Sequence, residues 1–152
     1  MTHRLLFACL VCALGFVSSA QAQEVTLAKK QVPQSVLEAF RKAYPKATVK
    51  GFSREVDKGT TYFEVESVEG KIHRDLSYTA DGSLISIEES MAYGELPEAV
   101  RTAVEKEAPK ARVTSTERVV KGPVTQYELV VRSGKKRLEL VFSPEGTLIG
   151  KE

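Results

Sequence analysis

The chain repeats itself. Sliding the sequence by 64 residues lays 32–88 over 96–152 without a gap, with 19 identities in 57 pairs. One group of matches sets Pro33, Val36, Ala39 and Lys42 over Pro97, Val100, Ala103 and Lys106, then Pro45-Lys46-Ala47 over Pro109-Lys110-Ala111. A second sets Glu64 over Glu128, Gly70-Lys71 over Gly134-Lys135, Leu76 over Leu140, Gly82 over Gly146 and Leu84-Ile85 over Leu148-Ile149. A period this long marks a duplicated small domain, not a solenoid repeat. Residues 89–95 read as the linker between the copies, and 23–31 as a polar leader with no strong pattern.

Residues 1–22 read as a secretory signal peptide. A basic start at Arg4 precedes an uncharged run from Leu5 to Val17, and small residues at Ala20 and Ala22 place the cut before Gln23. The apolar run is shorter than the roughly 20 residues a membrane helix needs. Both cysteines, Cys9 and Cys12, leave with this segment. The expected mature chain therefore has no disulfide and no thiolate metal site. It is expected in the periplasm or outside the cell, with no membrane span. A formal charge of +2 over 152 residues gives no case for nucleic-acid binding, which needs concentrated basic surface.

Each copy reads as a helix followed by four strands. Pro33 and Pro97 suit a helix start, Val36, Leu37, Phe40 and Tyr44 fall at helical spacing, and Pro45 and Pro109 end the helices. Strands are expected over 48–57 and 112–121, around Tyr62–Glu66 and Gln126–Val130, through Leu76 and Leu140, and around Ile85 and Ile149. Gly59, Gly70, Gly82 and their counterparts mark the turns. The first strands do not keep one phase, so a bulge is expected at Gly51 or Ser115. Alternation elsewhere puts Phe63, Val65, Leu76, Tyr78, Tyr127, Leu129, Leu140 and Phe142 on one face. The fold class is thus α+β: two tandem helix-plus-four-strand units in an antiparallel sheet of up to eight strands, helices on one face. Phe40, Phe63, Leu76, Tyr127, Leu140 and Phe142 are the expected core.

The motifs Ala43-Tyr44-Pro45-Lys46-Ala47, Tyr62-Phe63-Glu64-Val65 and Asp81-Gly82, with Ala108-Pro109-Lys110-Ala111, Tyr127-Glu128-Leu129 and Glu145-Gly146, are similar to those of the PepSY-like family. That family is also described as beta-lactamase-inhibitor-protein-like. The resemblance covers nearly all of the expected mature chain. It implies an exported binding module, with an enzyme such as a peptidase as partner, and no catalytic site. The matched residues are turn and core positions, so no functional residue carries over. Ala108 stands where the first copy has Tyr44.

The helix-free sheet face is the expected recognition surface. Tyr62, Glu64, Lys71, His73, Asp75, Glu128, Arg137 and Glu139 are assigned to it, mixing an aromatic and an arginine, frequent interface anchors, with alternating charge. Three other readings compete. The carboxylates could hold a hard cation such as calcium, making this a small-ligand or cation-binding envelope protein, but no calcium-loop spacing appears and Lys71 and Arg137 oppose it. His73, with Asp75 and Ser77 at alternate positions of one strand, could act as a hydrolase, but no nucleophile-elbow motif accompanies it. The third is a plain solvated face, since any one-sided sheet alternates this way. No cofactor is expected, and no catalytic residue is assigned.

Overall fold

The computed structural model describes residues 24–57 and 59–152. The signal peptide expected at 1–22 lies outside the described residues, as does Lys58 of the first expected turn. Nine strands run in sequence order in one antiparallel sheet: β1 Val25–Thr26, β2 Thr48–Asp57, β3 Thr60–Glu69, β4 Ile72–Thr79, β5 Leu84–Ser90, β6 Arg112–Lys121, β7 Val124–Ser133, β8 Lys136–Phe142 and β9 Leu148–Lys151. Helix α1 Gln34–Ala43 lies between β1 and β2, and α2 Glu98–Glu107 between β5 and β6.

The helices form where the sequence places them. Pro33 and Pro97 occupy the N-cap positions, so neither missing N–H breaks a helical hydrogen bond. Tyr44 and Ala108 end the helices just before Pro45 and Pro109. The buried stripe of α1 is Val36, Leu37 and Phe40, and that of α2 is Val100 and Val104. The first stripe packs on Val65, Leu76 and Tyr78, the second on Leu129, Val131, Leu140 and Phe142. Both clusters lie on one sheet face, because Arg74, Glu89, Arg118, Tyr127 and Phe142 are successive cross-strand partners. Of the expected core, Phe40, Leu76, Leu140 and Phe142 are buried. Phe63 and Tyr127 pack against the clusters but stay partly exposed.

The register of β2 slips between Val49 and Gly51, and that of β6 between Val113 and Ser115. The extra residues are Lys50 and Thr114, each one position before the expected bulge. Beyond the slip, Gly51, Ser53 and Glu55 share the helix-free face with Glu66, Glu64 and Tyr62.

The ninth strand comes from the leader. Val25 pairs with Arg54 and Thr26 with Ser53, and the Leu27 N–H donates to the Phe52 carbonyl at 2.8 Å. Sixty-four residues on, Glu89 pairs with Arg118, Ser90 with Glu117, and the Met91 N–H donates to the Thr116 carbonyl at 3.0 Å. The 3-10 turns Lys29–Gln31 and Tyr93–Glu95 match at the same offset. In each, the side chain of the last residue accepts the N–H of the residue before the turn, Gln31 from Ala28 and Glu95 from Ala92, both at 2.8 Å. The structural repeat therefore reaches back to Val25 and Glu89, although Ala28 and Ala92 are the one identical pair there. Strand β5 runs to Ser90, into the expected linker, and pairs directly with β6, so the two halves share one sheet.

One charged residue, Arg74, is buried among the apolar ones on the helix face. Arg74 is 9% exposed, opposite Ser67 on β3. Its Nε donates to Glu89 Oε2 at 2.6 Å, its Nη1 to Glu69 Oε2 at 3.2 Å, and its guanidinium lies 5.1 Å from the centre of the Tyr44 ring. Glu89 also accepts from Arg118 Nη2 at 3.2 Å, across the β5–β6 seam. The second copy replaces this group with Val131, Leu138 and Ala108 at the positions of Ser67, Arg74 and Tyr44.

Candidate functional site: the helix-free sheet face

Cross-strand register sorts this face into rows. The central row runs Gly51, Glu66, Asp75, Glu88, Val119, Gln126 across β2 to β7. Three carboxylates thus stand directly opposite one another on β3, β4 and β5. To one side run Ser53, Glu64, Ser77 and Ser86, and to the other Ser90, Glu117, Glu128 and Val141. At one end of the second half, Arg112, Arg132 and Arg137 are successive partners. Acid therefore concentrates in the middle of the face and basic charge at one end.

No element packs over this face among the described residues, yet parts of it are closed to water. Val119 is 2% exposed, Val130 3% and Glu128 7%. All three belong to it: Val119 pairs with Glu88, Val130 with Glu139, and Glu128 with Glu117. Burial without a covering layer is what side chains of neighbouring strands give one another where a sheet twists and coils.

Desolvation governs the carboxylates. Burial, with Asp75 nearby, pushes the Glu64 carboxyl up to about 7, even though Ser53 Oγ donates to it at 2.9 Å. Burial pushes Asp75 to about 6, with Glu66 adding to the rise and His73 opposing it. Glu117 rises to about 7 through burial and the charges of Glu128, Asp75 and Glu139. Glu128 rises mainly through burial, against a 2.8 Å hydrogen bond from Gln126 Nε2. Loss of water, and then the neighbouring charges, hold Glu64, Asp75 and Glu117 partly protonated near neutral pH.

The structure brings most of the expected site residues together. Tyr62, Glu64, His73, Asp75, Glu128, Arg137 and Glu139 all lie on this face, with Arg137 Nη2 donating to Glu139 Oε2 at 3.3 Å. Lys71 does not: β3 ends at Glu69 and β4 begins at Ile72, so the two-residue turn Gly70-Lys71 carries it to the end of the sheet. Glu88 and Glu117 escape the sequence reading, Glu117 because the bulge hides the phase of β6. His73, Asp75 and Ser77 alternate along β4, and no hydrogen bond joins them; the main-chain N–H of His73 donates to Ser90 Oγ at 2.8 Å. Among the described residues, no three His, Cys, Asp or Glu side chains converge to hold a metal ion.

The comparisons with known proteins agree with this architecture. The chain matches the family described as "Putative beta-lactamase-inhibitor-like, PepSY-like" over residues 16–86 and again over 61–150, and it belongs to that family. The two overlapping matches reflect the duplication. No curated protein sequence matches it. Among solved structures, a "putative periplasmic" protein of Bacteroides eggerthii superposes with a TM-score of 0.68 at 21% identity, covering 80% of this chain and 88% of that one. A BLIP-like protein of Bacteroides fragilis gives 0.62 at 24% identity, covering 80% and 85%. A DUF2874 family protein of Bacteroides uniformis gives 0.64 at 18%, covering 80% and 88%. At these identities the likeness is one of fold. No helix among the described residues is long and apolar enough to cross a membrane.

Proposed function

We propose that the protein is an exported, non-catalytic binding module that grips a protein partner, such as a periplasmic or extracellular enzyme, with its helix-free sheet face. The observation that carries this reading is the burial of Val119, Val130 and Glu128 on a face that no element among the described residues covers. A merely solubilising face has no reason to keep carboxylates out of water, and a docking surface does. Tyr62, at the β2–β3 side, and Arg137, in the arginine row, are the anchors, and Glu64, Asp75, Glu128 and Glu139 set the charge a partner must match. Family membership, and neighbours described as periplasmic, support export and binding. A peptidase or other exported enzyme suits the role of partner.

The test is capture from a periplasmic extract on immobilised protein, followed by titration with the captured partner. Tyr62→Ala and Arg137→Ala are each expected to weaken binding by about 1–2 kcal/mol. Glu105→Ala, on an exposed position of α2, is expected to leave it unchanged. Full-strength binding by the Tyr62→Ala, Arg137→Ala double variant removes the sheet face from consideration.

A further inference from the structure

The helix side of the molecule carries a second feature, unrelated to the helix-free face. A groove of about 440 Å³ opens between α1 and the first half of β2. Its apolar lining is Leu27, Leu37, Phe40, Val49 and Phe52. Val49 is 37% exposed, a large apolar side chain facing water in the groove. Strand β1 pairs only with Ser53 and Arg54, so among the described residues no strand covers the edge of β2 beside the groove. Three cations, Lys29, Arg41 and Lys50, line it as well, with Thr26 and Gly51, and no acidic residue does. Among the described residues none of the three makes an ion pair.

Each cation has an ordinary explanation by itself. Arg41 lies in the last turn of α1, where the helix dipole favours positive charge. Lys50 on an exposed edge discourages strand pairing with other chains. The duplication provides the control. The second copy has a groove between α2 and β6 that shares the positions of Tyr93, Val104, Glu105 and Val113 with the first and is lined also by Lys110. There Tyr93 stands for Lys29 and Glu105 for Arg41, while the equivalent of Lys50 is Thr114, outside that lining. Glu105 works against the dipole that Arg41 suits, so the fold does not require a cation at that place. An all-cationic set of charges is thus a property of the first groove, the second carrying one cation, Lys110, and one acid, Glu105.

We propose that the first-copy groove binds a single-chain anionic amphiphile, a medium-chain fatty acid, with its alkyl tail on the apolar lining and its carboxylate among Lys29, Arg41 and Lys50. The groove lies within the roughly 300–1,000 Å³ usual for small-ligand sites. An apolar floor with a single-sign rim is complementary to a ligand with one anionic end and one alkyl end. Neither a bare anion nor a neutral hydrocarbon uses both.

Laurate, below its micelle-forming concentration, is the probe, titrated into the protein by calorimetry with nitrogen-15 chemical shifts recorded in parallel. Saturable 1:1 binding is expected, with shifts at Leu27, Val49 and Phe52 and not at Val113. Installing the second-copy residues, Lys29→Tyr, Arg41→Glu and Lys50→Thr, is expected to weaken laurate at least tenfold while leaving the thermal midpoint within a few degrees. Acetate and dodecylamine are the head-only and opposite-charge controls, and both are expected to bind at least tenfold more weakly. Equal binding of laurate and dodecylamine, equal binding by the triple variant, or shifts confined to the second groove each overturn the proposal. Should the triple variant fold poorly, the dodecylamine comparison and the shift map on the unaltered protein decide the matter.

Discussion

Replacing Glu64 by Gln should stabilise the protein, and only at high enough pH. The Glu64 carboxyl titrates near 7 in the folded chain against an ordinary 4.5. A raised carboxylate pKa means the folded state holds more protons than the unfolded one between these values, so stability falls as pH rises through the window. At about 1.36 kcal/mol per pH unit, the full penalty above pH 8 is roughly 3 kcal/mol. The side chain is half-buried and solvent screens part of the charge, so about 2 kcal/mol is the expected gain for Glu64→Gln at pH 8. The amide is isosteric and can still accept the hydrogen bond from Ser53. At pH 4 both residues are neutral and the gain should vanish. Urea unfolding followed by circular dichroism at pH 4, 6 and 8 measures this directly. A gain that is the same at every pH, or a loss at pH 8, would refute the argument that desolvation and like charge govern this face. Asp75 and Glu117 are raised for the same reasons, so the unaltered protein should itself unfold at lower urea concentration at pH 8 than at pH 5.

Other consequences follow from the helix side. Glu89→Ala removes the shortest partner of buried Arg74 and should cost about 3 kcal/mol in chemical denaturation, whereas Glu69→Ala, at a more exposed partner, should cost less than about 1. Installing the second-copy pair, Ser67→Val with Arg74→Leu, should restore most of that loss in the Glu89→Ala background, because no buried charge is left without a partner. Phe142→Ala opens a cavity at a fully buried site and should cost roughly 3–5 kcal/mol, and a negligible change would place the sheet face wrongly. Gly146→Ala puts a Cβ 2.5 Å from the Ala99 carbonyl oxygen at a φ of 81°, and should cost roughly 2 kcal/mol or more in thermal unfolding. Gly134→Ala, where a Cβ meets nothing within 4 Å, should cost visibly less.

Much of the architecture was legible because local signals agreed. Pro33 and Pro45 bracket one helix and Pro97 and Pro109 the other, and the glycine turns space the strands. The strands 48–57 and 112–121 begin and end where expected. Strand β1 was not legible, since two residues become a strand only by pairing with Arg54 and Ser53, far along the chain. The burial of Arg74 was equally hidden: Tyr44, Glu69 and Glu89 surround it from three different elements. Alternation did place Glu64, Asp75, Glu128 and Glu139 on the helix-free face. It could not give their desolvation, which depends on how far the sheet coils, nor the position of Glu117 beyond an unlocated bulge.

The seam between the halves has a consequence for folding. Residues 25–27 and 89–91 do the same job, each opening a unit by pairing onto that unit's first long strand. In the second unit that opening segment is also the tail of β5, which the first unit needs to finish its own sheet. Ownership of those residues is therefore shared. The two hydrophobic cores are separate, but the strand between them belongs to both, and Glu89 holds an arginine from each. A cut between the units would leave one of them without a completed edge. The duplicated chain should consequently melt as one cooperative body, with neither copy persisting once the other is lost.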